Sequence, residues 1–219
     1  MNFFKKNKNT YNYTDDVYFD VKSVEIGHHK VLYKGIPILK CPFDYVIYQM
    51  IINEIKPDLI IEIGTNKGGS AYYYADILDS IGNGELHTID IHDVRLDEVK
   101  NHKRIKFFNN GFHNYDLNNT IGFNKILVID DGSHTYEHVL DCLKKFEKIV
   151  SLDSYFIVED GIIDKLGWKN EYGGGPNKAI FEFISQSKEY IIDKKWCDFF
   201  GVNATFNTNG YLKKIKNHD

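Results

Sequence analysis

Between residues 44 and 63 the spacing of apolar side chains changes character. Val46, Ile47, Met50, Ile51 and Ile55 recur at three- and four-residue intervals, which predicts a helix capped by Asp44 and running to about Ile55. Pro57-Asp58 stops it, and residues 59–63 read as a short strand apolar on both faces, as a parallel strand covered by helices should. The alternation continues along the chain. A glycine-rich turn leads into a predicted helix over 70–79, and strands are predicted at 85–90, 105–108, 125–130 and 155–159. Residues 135–150 carry Val139, Leu143, Phe146 and Val150 on one helical face, and Pro176 opens a helix through about 187. Residues 190–192 and 203–214 are predicted to close the chain as strands, with Asn209-Gly210 either turning a hairpin or interrupting one strand. A short β-like stretch lies between residues 30 and 42, while residues 1–20 show no period and read as an arm.

Strands alternating with helices over most of the chain imply a three-layer α/β fold with ligands at the C-terminal strand ends. The expected organisation is an extension over 1–29 followed by one domain over 30–219. Composition narrows the function. With 27 Lys and Arg against 31 Asp and Glu, the net charge is -4, so a non-specific nucleic-acid binder is not expected. Three scattered cysteines, Cys41, Cys142 and Cys197, form no metal-binding spacing and argue against a disulfide framework. No apolar run approaches membrane-spanning length and no leader pattern opens the sequence, so a soluble cytoplasmic protein is the expectation. The 15 Tyr and 15 Phe include Phe3, Phe4, Tyr11, Tyr13, Tyr18 and Phe19 in the arm. That arm is either a loose tail or a segment covering the active site or contacting a second subunit of a homo-oligomer.

The chemistry is written at strand ends. Glu62, Gly64, Thr65, Gly68, Gly69 and Ser70 form the pattern E-x-G-x-x-x-G-G-S across a strand, a turn and a helix start. Glycines there allow close backbone approach to a ligand. The spacing differs from the G-x-G-x-x-G of nicotinamide folds and resembles the S-adenosylmethionine loop of class I methyltransferases. Asp90, ending the second strand, suits ribose hydroxyls, or else caps the next turn. Asn110-Gly111 would lie against adenine. The run Asp130-Asp131-Gly132-Ser133-His134 leaves the fourth strand and Glu159-Asp160 the fifth. Four carboxylates on neighbouring strand tips repel one another unless a cation sits among them, and Mg²⁺ with oxygen ligands is the simplest candidate. The bland alternative is that Asp131 and Asp160 cap turns. His134, three positions beyond Asp131, is placed to take a proton from a hydroxyl near that cation, since imidazole exchanges protons near neutral pH. The remaining histidines, including His28-His29, have no partners at recognisable spacing and read as surface.

Taken in order, Lys40-Cys41-Pro42-Phe43-Asp44, Tyr48-Gln49, Pro57 to Thr65, Gly68 to Ala71, Asp130 to His134, Glu159-Asp160, Gly175-Pro176 and Asn209 to Lys213 resemble the cephalosporin hydroxylase family. The resemblance spans about residues 30–215. It implies a class I methyltransferase fold, Rossmann-like and three-layered, with a mostly parallel seven-stranded sheet and an antiparallel C-terminal strand. It implies S-adenosylmethionine and Mg²⁺ as cofactors and O-methylation of a sugar hydroxyl on a small molecule or glycan. Carried over by position, the metal ligands are Asp131, Glu159 and Asp160 and the base is His134. The cofactor site would comprise Glu62, Gly64, Thr65, Gly68, Gly69, Ser70, Asp90, Gly111 and Asp130. Two rival functions are a nicotinamide-dependent sugar oxidoreductase, opposed by the missing G-x-G-x-x-G, and a non-catalytic nucleotide-binding partner, opposed by the clustered carboxylates.

Overall fold

The computed structural model describes residues 17–217. In chain order the elements are helix α1 (Val21–His28), strands β1 (Leu32–Tyr33) and β2 (Ile36–Pro37), helix α2 (Pro42–Ile55), β3 (Leu59–Ile63), α3 (Gly69–Ile81), β4 (Glu85–Ile89), α4 (Asp97–Lys100), β5 (Ile105–Phe108) and α5 (Gly111–Asn114). They continue with β6 (Ile126–Asp130), α6 (Tyr136–Phe146), β7 (Tyr155–Val158), α7 (Ile163–Leu166), α8 (Gly175–Gln186), β8 (Tyr190–Ile192), α9 (Lys194–Cys197) and β9 (Tyr211–Lys214). Seven strands form one sheet in the order β5-β4-β3-β6-β7-β9-β8. β9 runs antiparallel to both of its neighbours, and the other pairings are parallel.

Alternation along the central strands divides the core into two layers. Ile60, Leu127, Ile129 and Ile157 pack with Tyr48, Ile51, Ile52, Tyr74 and Leu78 of α2 and α3. Leu59, Ile61, Val128 and Phe156 point the other way, onto Val139, Leu143 and Phe146 of α6 and Ala179, Ile180 and Phe183 of α8. Successive strand side chains alternate faces, so an all-apolar strand needs a helical layer on each side. The sequence-based expectation of a three-layer sheet is met.

Two local expectations are corrected. Asp44 does not cap α2: Cys41 holds the cap position, Pro42 opens the helix, and Asp44 turns inward from its first turn. Residues 203–210 are turns rather than strand, with Asn203 and Asn209 both in the left-handed region. Asn209-Gly210 therefore makes no local hairpin, and β9 instead pairs β7, 54 to 58 positions earlier in the register Tyr155↔Lys213 to Ile157↔Tyr211. The segment is diverted because Thr205, Phe206 and Tyr211 all donate hydrogen bonds to the buried Asp44 carboxylate. The extension expected before residue 30 carries a short helix. Asp20 caps α1 by accepting from the Ser23 amide, and α1 packs on α7. The expectation that Phe3, Phe4, Tyr11 and Tyr13 cover a site or partner lies outside the described residues. Among those described, no helix is long and apolar enough to cross a membrane.

Candidate active site

The tips of β3, β4, β6 and β7 open into one cleft of about 680 Å³. Gly64, Asn66, Asp90, Ile91, Gly111 and Phe112 line one end. Asp131, Gly132, His134 and Asp160 line the adjoining part, and Ile163, Trp168, Tyr172 and Phe206 continue the wall. The cleft lies at the point where the chain crosses from the β3-β4-β5 half of the sheet to the β6-β7 half, the place where such sheets bind ligands.

The glycine turn is dictated first by packing. Gly64 has φ +94°, and a Cβ there would lie 2.0 Å from the Asp131 carbonyl oxygen. A Cβ on Gly69 would meet the Pro37 carbonyl oxygen at 2.2 Å, so any side chain would drive α3 off the β2 edge. These glycines are required whether or not a ligand approaches. Asp90 ties the turn down: its Oδ2 accepts the Thr65 and Asn66 amides at 2.9 and 3.0 Å, and its Oδ1 accepts the Ile91 amide at 2.7 Å. It is both a turn cap and a cleft residue.

Not every predicted residue reaches the cleft. Gly64, Asp90, Gly111, Asp131, His134 and Asp160 line it, while Glu62, Thr65, Gly68, Gly69, Ser70, Asp130 and Glu159 lie behind the wall. Thr65 hydrogen-bonds the Thr88 hydroxyl at 2.6 Å, and Thr88 donates to Glu62 at 2.5 Å. Asp130 is buried, and its Oδ1 lies 3.0 Å from His138 Nε2 and accepts the Gly132 amide at 3.2 Å. Burial draws the His138 pKa down, but the hydrogen bond and charge of Asp130 outweigh it and the net direction is up. His138 lines the cleft, so Asp130 acts there through its histidine.

Burial is the main force on Glu62, whose pKa is pushed up to about 7 against the ordinary 4.5, with the Ser70 and Thr88 hydroxyls opposing the rise. A carboxyl raised on folding binds a proton that the unfolded chain has already released between pH 4.5 and 7. Its stabilising contribution is complete below 4.5 and is lost as pH rises through 7. Glu62→Gln is therefore expected to become more stable relative to the parent as pH rises across that window, by about 3 kcal/mol in total. Urea unfolding of both proteins at pH 4.5, 6 and 8, without cofactor, measures this; a pH-independent difference would remove Glu62 as the source.

The acidic cluster is built from two unusual turns. His134 and Asp160 both sit in the left-handed region, at φ +57° and +56°. Non-glycine residues there cost on the order of 1 kcal/mol each and mark places where side-chain direction matters more than backbone ease. The turns aim His134 Nε2 to 3.3 Å from Asp160 Oδ2 and 3.9 Å from Asp131 Oδ1. One ligand atom from each of the three falls within 4.8 Å of the others, so they could share a cation. A mostly oxygen donor set suits a hard divalent ion that keeps positions for water or substrate.

Glu159 is placed differently from its neighbours. Its Oε2 accepts from Lys40 Nζ at 2.6 Å and its Oε1 from the Tyr48 hydroxyl at 2.7 Å. Lys40 Nζ also donates to Asp131 Oδ2 at 2.5 Å. Burial pushes the Glu159 and Asp131 carboxyls up, and Lys40 opposes both shifts. For Lys40 itself burial pulls down, but the two carboxylates outweigh it and hold the ammonium charged. Behind them runs a buried chain of hydrogen bonds. Asn207 donates to Tyr48 and Tyr211 at 3.2 Å each, and Tyr211 donates to Asp44 at 2.8 Å.

Sequence reasoning missed Lys40 and Tyr48 as parts of this site, although both stand in its motif run. It also read every unassigned histidine as surface, and this is corrected at three positions. His87 is buried, with Nδ1 2.6 Å from the Tyr115 hydroxyl. His138 bonds Asp130, and His28 lines the cleft edge-on to Phe206. Burial is also the largest influence on His28, and it lowers that pKa. Glu25 and His29 flank it on the cleft wall.

The sheet and the cleft at its strand tips have the architecture of the class I methyltransferases, with one cleft serving the glycine turn and the strand-tip acids. Residues 27–215 match the rhamnosyl O-methyltransferase/CmcI family, and the chain belongs to it. A rhamnosyl O-methyltransferase of Mycobacterium tuberculosis (strain H37Rv) is 32% identical over 192 residues, covering 84% of this chain and 78% of that protein. Among solved structures, one described as cmcI-N160 SAH superposes with a TM-score of 0.68 at 17% identity, covering 94% of this chain and 89% of the other. Another, cmcI-D160 Mg-SAM, superposes at 0.64 with 19% identity, covering 86% and 78%. These structural likenesses carry the fold.

Proposed function

We propose that the protein is an S-adenosylmethionine- and Mg²⁺-dependent O-methyltransferase acting on a sugar hydroxyl. The observation that carries this reading is the continuity of one cleft from Asp90 to the Asp131–His134–Asp160 cluster. When bound, S-adenosylmethionine supplies an activated methyl group and the divalent ion a Lewis acid that acidifies the acceptor hydroxyl. Asp90 and the Gly64–Asn66 backbone would orient the ribose, with Ile91 and Phe112 as apolar walls for the adenine. Asp131 and Asp160 would hold the ion, and Glu159 would join them by releasing the oxygen that Lys40 or Tyr48 now occupies. His134, oriented by Asp160, would receive the acceptor proton, and the shared cleft would keep donor and acceptor in reacting geometry. The acceptor class follows from the mycobacterial relative, whose name specifies a rhamnosyl group, and from Trp168, Tyr172 and Phe206, whose rings suit the apolar face of a sugar. A nucleotide sugar, a surface polysaccharide or a glycosylated natural product each offers such a hydroxyl.

The direct test is ligand-dependent melting. S-adenosylhomocysteine is expected to raise the melting temperature and NAD to leave it unchanged, because a ligand stabilises only the state that binds it. Asp90→Ala should weaken S-adenosylhomocysteine binding by about 1–3 kcal/mol, through lost ribose contacts and through release of the Thr65 and Asn66 amides. Stabilisation by NAD in place of S-adenosylhomocysteine would overturn the reading in favour of an oxidoreductase.

A further inference from the structure

We propose that Lys40 is a tethered counter-cation that sets how tightly the carboxylate cluster takes its divalent ion; the proposal rests on the metal-dependent reading above. Lys40 lies in the segment joining β2 to α2 and is only 2% exposed. Its ammonium bridges the tips of two neighbouring strands, touching Asp131 Oδ2 after β6 and Glu159 Oε2 after β7. Tyr48, one and a half turns into α2, occupies the other Glu159 oxygen. The inner side of the cluster is therefore already filled by a positive charge belonging to the chain.

Charge counting gives this arrangement a function. Asp131, Glu159 and Asp160 bring three negative charges, and Lys40 reduces them to two, the charge a divalent ion neutralises. Before an ion arrives, the ammonium keeps the buried Glu159 carboxylate and the half-buried Asp131 carboxylate from repelling each other. When an ion arrives, it competes with Lys40 for oxygens of Asp131 and Glu159 and is repelled by it at close range. A fixed lysine thus trades affinity for preorganisation: the ligands are held in place, and the ion binds loosely enough to exchange.

The roles of charge and of packing separate experimentally. Lys40→Gln removes the charge while its amide can still donate toward both carboxylates, and Lys40→Met removes charge and hydrogen bonds together. Mg²⁺ affinity of the full chain is measured by titration calorimetry at pH 8 without acceptor, and melting temperature with and without Mg²⁺. Both variants are expected to bind Mg²⁺ at least about tenfold more tightly than the parent, since a unit charge so close to an ion is worth more than that even in a well-screened site. Both should melt lower without Mg²⁺ and gain more from its addition. A purely structural lysine would also lower the melting point, but would leave Mg²⁺ affinity unchanged or weaker, and that result overturns the proposal. If Lys40→Met does not fold, Lys40→Gln decides alone. Absence of Mg²⁺ binding by the parent and by both variants would overturn the metal-dependent reading and this proposal with it. Binding by the parent with no tightening in the variants overturns only the role of Lys40.

Discussion

Replacing His134 by alanine is expected to lower methyl transfer by about 10²–10⁴-fold while affinities for S-adenosylhomocysteine and Mg²⁺ change little. Proton removal from the acceptor is needed only as the new C–O bond forms, so its loss appears in turnover rather than in binding. The left-handed backbone at His134 complicates a bare alanine test, because alanine there carries its own strain of about 1 kcal/mol. Asparagine tolerates that conformation and cannot act as a base. His134→Asn should therefore melt close to the parent and yet lose turnover as heavily as His134→Ala. Turnover near the parent value in the well-folded asparagine variant would remove His134 from the chemistry and leave it a partner holding Asp160, 3.3 Å away.

Removing divalent ions with a chelator is expected to abolish turnover and leave S-adenosylhomocysteine binding largely intact, with activity returning on addition of Mg²⁺. The two halves of the cleft explain the split: the glycine turn and Asp90 lie at one end, the carboxylates in the adjoining part. Single substitutions sharpen the test. Asp160→Asn should weaken Mg²⁺ binding with little loss of stability, since Asp160 is about one-third exposed. Asp131→Asn and Glu159→Gln should weaken Mg²⁺ binding and also lower the melting point, because each withdraws a charge from the buried Lys40. Full methyl transfer in excess chelator, with metal removal verified by elemental analysis, would overturn the metal requirement.

The central sheet was legible because its physics is local. Strands covered on both faces become continuous apolar runs, and α6 repeats Val139, Leu143 and Phe146 along one face. The ordered motifs then placed Gly64, Asp90, Asp131, His134 and Asp160 at strand tips, and these residues line one cleft. What stayed hidden depends on pairings that leave no period. Lys40 meets Glu159 across 119 positions, and a lysine destined for burial looks like any surface lysine until its partners are known. Asp44 carries the residue type and position of a helix cap, yet it serves Thr205, Phe206 and Tyr211 more than 160 positions later. The same pull bends residues 203–210 away from the strand that their composition suggests. Helix α1 was missed for another reason: none of its residues is fully buried, so no apolar stripe announces it.

The insertion of β9 between β7 and β8 has a consequence for how the molecule is made. While the ribosome is still adding residues near 200, β7 has its partner on one side only, and its other edge is bare. Asp44 lacks all three donors that will neutralise its burial, and Tyr48 lacks Asn207. The nascent sheet must therefore wait in a state with an open edge, where pairing with another chain is the hazard. A premature stop codon before residue 205 would release a polypeptide that keeps Asp90, Asp131, His134, Glu159 and Asp160 but lacks the scaffold behind Glu159. Such truncated products are expected to be insoluble rather than weakly active.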